Sequence, residues 1–273
     1  MKNLLNHISI LVMLTFLMVS IQSCSNEWKE VENAEVWFTA TLPLDARSRS
    51  FGEAEQINTL VVGVFDNENI EIYRESFPIN GTSAEVKLAL AQNQTYNFVF
   101  WAYDSSQTIY DIDDLTAIQM NTLTAPITFD QAEATDAFFA VMENITIMGD
   151  RNYPVKLHRP LAQINVGTRG NTMMGSFTAK SAPDTFHPFT NTVSGSTNYT
   201  WSFSETTTET ILVDGNTYNY LTMCYVFAPV IPSEISTELT LNDAGKSLTI
   251  EFPKVVIEAN SRSNIVGKFT VTE

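Results

Sequence analysis

Tyr153–Thr168, YPVKLHRPLAQINVGT, is the stretch on which the reading of the whole chain turns. Val155, Leu157 and Arg159 alternate with Lys156 and His158; Pro160 interrupts, and Leu161, Ala162, Ile164 and Val166 resume an apolar pattern that Gly167 closes. A two-residue period belongs to a strand, and proline has no N–H to give to a ladder. The spacing therefore predicts a strand, a proline-marked bend and a second strand segment. The sequences on either side are of similar size, which places a boundary between two units near residue 155.

Working outward, the first unit offers strand candidates at Glu35–Leu44, Ile57–Phe65, Ile70–Phe77, Ala84–Ala89, Tyr96–Tyr103 and Ala137–Met142, with Ile145–Met148 as a shorter one. Asp66-Asn67, Asn80-Gly81 and Asn93 supply turns between them. The second unit continues with Gly175–Ala179, Thr197–Ser204, Glu209–Val213, Tyr218–Phe227, Glu238–Leu241, Ser247–Val256 and Ile265–Thr272. Only Asp113–Met120, with acids at its start and Leu115, Ile118 and Met120 as apolar positions, predicts a short helix. Short strands at regular spacing argue for an all-β chain of two tandem antiparallel β-sandwich domains rather than βαβ units. The expected division is a signal peptide over 1–23, a tether over 24–34, one sandwich over 35–154 and a second over 155–273.

The 273 residues, with 44% hydrophobic and 17% charged, can bury a sizeable core. A net charge of -16 repels phosphate backbones, so no nucleic-acid partner is expected. The N-terminus carries Lys2 and then an uncharged apolar run from Ile8 to Ile21, which suits a signal peptide and falls short of the roughly 20 residues that a spanning helix needs. Ile21-Gln22-Ser23-Cys24 resembles the lipobox of bacterial lipoproteins, which makes Cys24 the expected acylated N-terminus and attaches the chain to the outer membrane through its lipid. Cys224 is then the remaining thiol, and its neighbours Met223, Tyr225 and Phe227 suggest an inert position in a core strand.

Chemistry is sparse. His158 and His187 stand apart from each other and from any cysteine, and the sequence has no G-x-S-x-G elbow, no Gly-rich phosphate loop and no H-E-x-x-H. Asp111-Ile112-Asp113-Asp114 lacks the glycine and distal glutamate of a calcium loop. Trp37, Trp101 and Trp201 lie on alternating strands, where packing is the commoner role than sugar stacking. No catalysis, cofactor or metal is expected.

The segment VKLHRPLAQINV resembles the opening of the C-terminal domain of the fimbrillins, the lipoprotein pilins of Bacteroidetes-type bacteria, where an alternating strand is followed by Arg and then L-A-x-I. Three further blocks resemble the same family in order: PDTFHPFTNTVSG (183–195), YNYLTMCYVFAP (218–229) and RSNIVGKFTV (262–271). The resemblance implies transthyretin-like Greek-key sandwiches and a fimbrium of polymerised pilin subunits. It also implies maturation by a trypsin-like, Arg-specific protease that removes the first strand, so that a neighbour's strand fills the groove. The matching positions are Arg47 and Arg49, in the polar loop after a strand whose Val36, Phe38, Ala40 and Leu42 share one face. Ile265, Phe269 and Val271, which share a face with Gly267, form the candidate donor strand, or simply the last strand of the second sandwich. The same residues also fit an outer-membrane surface lipoprotein that binds a glycan or a host protein without polymerising.

Overall fold

The computed structural model describes residues 32–43, 54, 56–122, 129–169, 173–204, 210–243 and 245–271. Asn33–Glu273 forms one compact unit. Its strands are β1 (Asn33–Thr41), β2 (Thr59–Phe65), β3 (Glu71–Pro78), β4 (Ser83–Ala91), β5 (Thr95–Tyr103), β6 (Tyr110–Asp111), β7 (Ile118–Met120), β8 (Ala137–Thr146), β9 (Arg151–Lys156) and β10 (Leu161–Thr168). They continue with β11 (Met174–Ala182), β12 (Thr185–His187), β13 (Thr192–Ser194), β14 (Thr197–Phe203), β15 (Thr210–Val213), β16 (Asn216–Phe227), β17 (Ser233–Asp243), β18 (Lys246–Ile257) and β19 (Arg262–Gly267). The one α-helix among the described residues is α1 (Phe129–Glu133).

Five sheets result. In the first half β4-β1-β9 lies against β3-β2-β5-β8, and in the second β15-β16-β10-β19 lies against β14-β11-β17-β18. Their facing side chains make an all-β, sandwich-type architecture, as the strand spacing predicts. The expected antiparallel pairing holds except at two places. β1 runs parallel to β9, and β10 runs parallel to β19. In each half, therefore, the first strand sits between an antiparallel neighbour (β4 or β16) and the half's last strand.

The fifth sheet, β13-β12-β7-β6, takes two strands from each half. Its cause lies in β2 and β5, whose side chains are buried on both faces. One face carries Val62, Val64, Phe98 and Phe100 into the core behind β1; the other carries Val61, Val99 and Trp101 into a core shared with the second half. That second face needs a cover, and Leu115, Ile118, Met120 and Phe186 supply it, with Trp101 packed 5.2 Å from Tyr110 and 6.2 Å from Phe186 between ring centroids. Gly63 permits this approach, since a Cβ there would stand 2.7 Å from Leu115.

The predicted helix over Asp113–Met120 is a turn followed by β7 instead. The Asp114 carboxylate accepts hydrogen bonds from the Thr116 N–H and hydroxyl, an arrangement that competes with helical pairing. Its apolar positions Leu115, Ile118 and Met120 are buried nonetheless. The last strand is also shorter than expected, ending at Gly267, so Phe269 and Val271 lie beyond it while still packing on the core. The bend at Pro160 separates β9 from β10 as read.

Candidate functional site

β1 is the element through which this fold could act on another chain. Its sequence NAEVWFTAT alternates, so Ala34, Val36, Phe38 and Ala40 are buried, as is Leu42 just past its end, while Glu35 and Trp37 face outward. Phe38 is the centre of the slot: its ring lies 4.8 Å from Phe98, 5.3 Å from Phe100 and 5.5 Å from Tyr153. Nine residues pair with β4, from Asn33 opposite Ala91 to Thr41 opposite Ser83, and six pair with β9, from Val36 opposite Arg151 to Thr41 opposite Lys156.

Polar contacts fasten the strand from end to end. The Glu35 N–H donates to Asp150 Oδ1 (2.9 Å) and the Leu42 N–H to the Thr82 carbonyl (2.9 Å). The Thr41 hydroxyl donates to the Val155 carbonyl (3.3 Å), and the Thr39 hydroxyl to Glu85 Oε2 (3.1 Å). On the outer face Lys87 Nζ sits 2.7 Å from Glu35 and 5.5 Å above the Trp37 ring. The arrangement makes β1 a strand bonded along both edges. Taking it away would leave two open ladders, on β4 and β9, and an apolar slot between them.

Of the other residues singled out in the sequence, Ile265 is buried on β19, which is docked parallel against β10 within its own chain. β1 and β19 belong to different sheets. Cys24, Arg47 and Arg49 lie outside the described residues. Among the described residues no helix is long and apolar enough to cross a membrane, and no three His, Cys, Asp or Glu gather as a metal site. Trp101 and Trp201 are buried, and His187 bonds to the Thr116 carbonyl and the Ser194 hydroxyl. Cys224 is fully buried, and burial pushes its thiol well up; burial does the same to the Tyr110 and Tyr199 phenols.

Sequence reasoning missed two parts of this geometry. The first strand of the YPVKLHRPLAQINVGT stretch is the parallel neighbour of β1, a pairing between residues too far apart for any local pattern to show. The arginine of that stretch, Arg159, is buried and ion-paired with Asp136, and its guanidinium lies over Phe138 (4.6 Å) and Tyr225 (5.8 Å). It thereby ties β8 of the first half to β16 of the second. The strand pattern around Arg159, which predicts an inward-pointing position, is the signal that could have found it.

No curated protein matches the chain. Among solved structures it is similar to a candidate adhesin from Bacteroides thetaiotaomicron, at 12% identity and a TM-score of 0.53, over 81% of this chain and 80% of that one. It is also similar to a fimbrial assembly protein from Parabacteroides distasonis, at 12% identity and a TM-score of 0.50, over 88% of this chain and 93% of that one. At such identity the likeness is one of fold, and the fold is that of Bacteroidetes fimbrial and adhesin proteins, in agreement with the resemblance in the sequence. Residues 28–273 match a family described only as being of unknown function, DUF6562, and the chain belongs to that family.

Proposed function

We propose that this protein is a structural subunit of a surface fimbrium, with a scaffolding rather than a catalytic role. Its precursor is held at the outer membrane by lipid on Cys24. An Arg-specific, trypsin-like protease cuts after Arg47 or Arg49, β1 leaves, and a strand from another pilin subunit takes its place, with the segment bearing Ile265, Phe269 and Val271 as the donor. The two sandwiches divide near residue 155.

The observation that carries this reading is the setting of β1, the first strand of the compact unit and one bonded on both edges. Burying Val36, Phe38 and Leu42 is worth about 1.5–3 kcal/mol per side chain, so an emptied groove is costly and a replacement strand recovers that cost together with the ladder bonds. The shared fold of a fimbrial assembly protein and a candidate adhesin supports the same reading.

The test is the N-terminal mass of the protein recovered from the cell surface. A start at Ser48 or Ser50 is expected. An intact acylated Cys24 on all surface protein would end the strand-exchange reading.

A further inference from the structure

Among the described residues ten strands end a sheet, and nearly all of them carry a feature that discourages pairing with another chain. β3 and β8 have broken registers with their neighbours. β9 contains Pro154, and β18 contains Pro253 and a register shift against β17. β6, β13, β15 and β19 have two, three, four and six residues. β14 has a register shift against β11 and no charged side chain to choose a partner.

β4 is different. It has nine residues, SAEVKLALA, with no proline, no glycine and an unbroken register against β1 along its whole length. Ala84, Val86, Leu88 and Leu90 point into the core, and Glu85, Lys87 and Ala89 point into solvent. Among the described residues nothing pairs with its outer edge.

We propose that the β4 edges of two copies of this chain pair antiparallel about a two-fold axis at Val86, joining two three-stranded sheets into one of six. Charge selects this partner and this register. Antiparallel pairing must keep core-facing residues on one face, so Val86 meets Val86 of the second copy and Ala84 meets Leu88. The solvent face then sets Glu85 opposite Lys87, and Lys87 opposite Glu85, at the roughly 4.5–5.5 Å Cβ separation at which opposite charges stabilise a pair of strands. A shift of the axis to Lys87, the next register that keeps the faces, would oppose two lysines. The surface is independent of strand exchange, because it leaves β1 in place.

The test is sedimentation of the full chain, of the variants Glu85→Lys and Lys87→Glu, and of an equimolar mixture of the two. Each variant alone sets like charges opposite each other twice, whereas a dimer of one Glu85→Lys chain and one Lys87→Glu chain has both pairs complementary. The expected result is a wild-type dimer, a rise in Kd of roughly tenfold or more for either variant alone, and recovery of the dimer on mixing. A variant that merely misfolds cannot be rescued by mixing. A wild-type chain that stays monomeric, variants that associate as tightly as wild type, or a mixture that stays monomeric would each overturn the proposal.

Discussion

Arg159 shows what a single side chain can hold in this fold. Its Nε and Nη2 donate to the two carboxylate oxygens of Asp136, both groups are almost wholly shielded from water, and aromatic rings from β8 and β16 flank the guanidinium. Removing one member of such a pair strands the other charge, so Arg159→Ala is expected to cost about 3–5 kcal/mol in urea unfolding. The double change Arg159→Met with Asp136→Leu should cost clearly less, because no charge is then left behind. Titration at high pH probes the interior in another way. Burial raises the Tyr110 and Tyr199 phenols and the Cys224 thiol above their ordinary values of 10.0, 10.0 and 9.0. The folded chain therefore keeps protons that the unfolded chain gives up. This contribution to stability is complete below pH 9 and is lost as pH rises from there toward the raised folded values. The melting temperature should accordingly hold level up to that pH and fall beyond it, and Cys224 should resist a thiol reagent until the chain is unfolded.

At the scale of the element, β1 was legible and its surroundings were not. Alternation in EVWFTATLPL assigned Val36, Phe38, Ala40 and Leu42 to one face, and all four are buried together. Phe38→Ala is expected to cost about 3–5 kcal/mol, measured by chemical denaturation, since the ring fills a slot lined by Phe98, Phe100 and Tyr153. Thr39→Ala on the solvent side should change stability by less than about 0.5 kcal/mol. The partners of β1 could not be read, because strand pairing depends on residues remote in sequence and periodicity reports only which face is buried. The same limit hid the tie between Arg159 and Asp136. The missed turn at Asp113–Ala117 has a local cause: the side chain of Asp114 serves equally to start a helix or to bond its own loop, and here it does the latter.

At the scale of the whole molecule, the sheet shared between the halves sets the expected unfolding behaviour. β7 pairs with β12, the Met120 N–H donates to the Asp184 carbonyl, and the Tyr199 hydroxyl donates to the Met120 carbonyl, so the halves share ladder bonds as well as a core. Unfolding should then be a single transition, with coincident midpoints by far-ultraviolet circular dichroism and by fluorescence of Trp101 and Trp201, which lie in different halves. Midpoints that separate would show that the halves melt independently. The parallel pairing of β1 with β9 has a further consequence, which concerns time. The Glu35 N–H and its acceptor on Asp150 are 115 residues apart, so β1 waits for one of its two neighbours until that much further chain has been made. Closing so long a loop is slow and goes unrewarded until the end. Until then β1 can hold only its β4 ladder, and the slot around Phe38 stays open on the side that Tyr153 later closes.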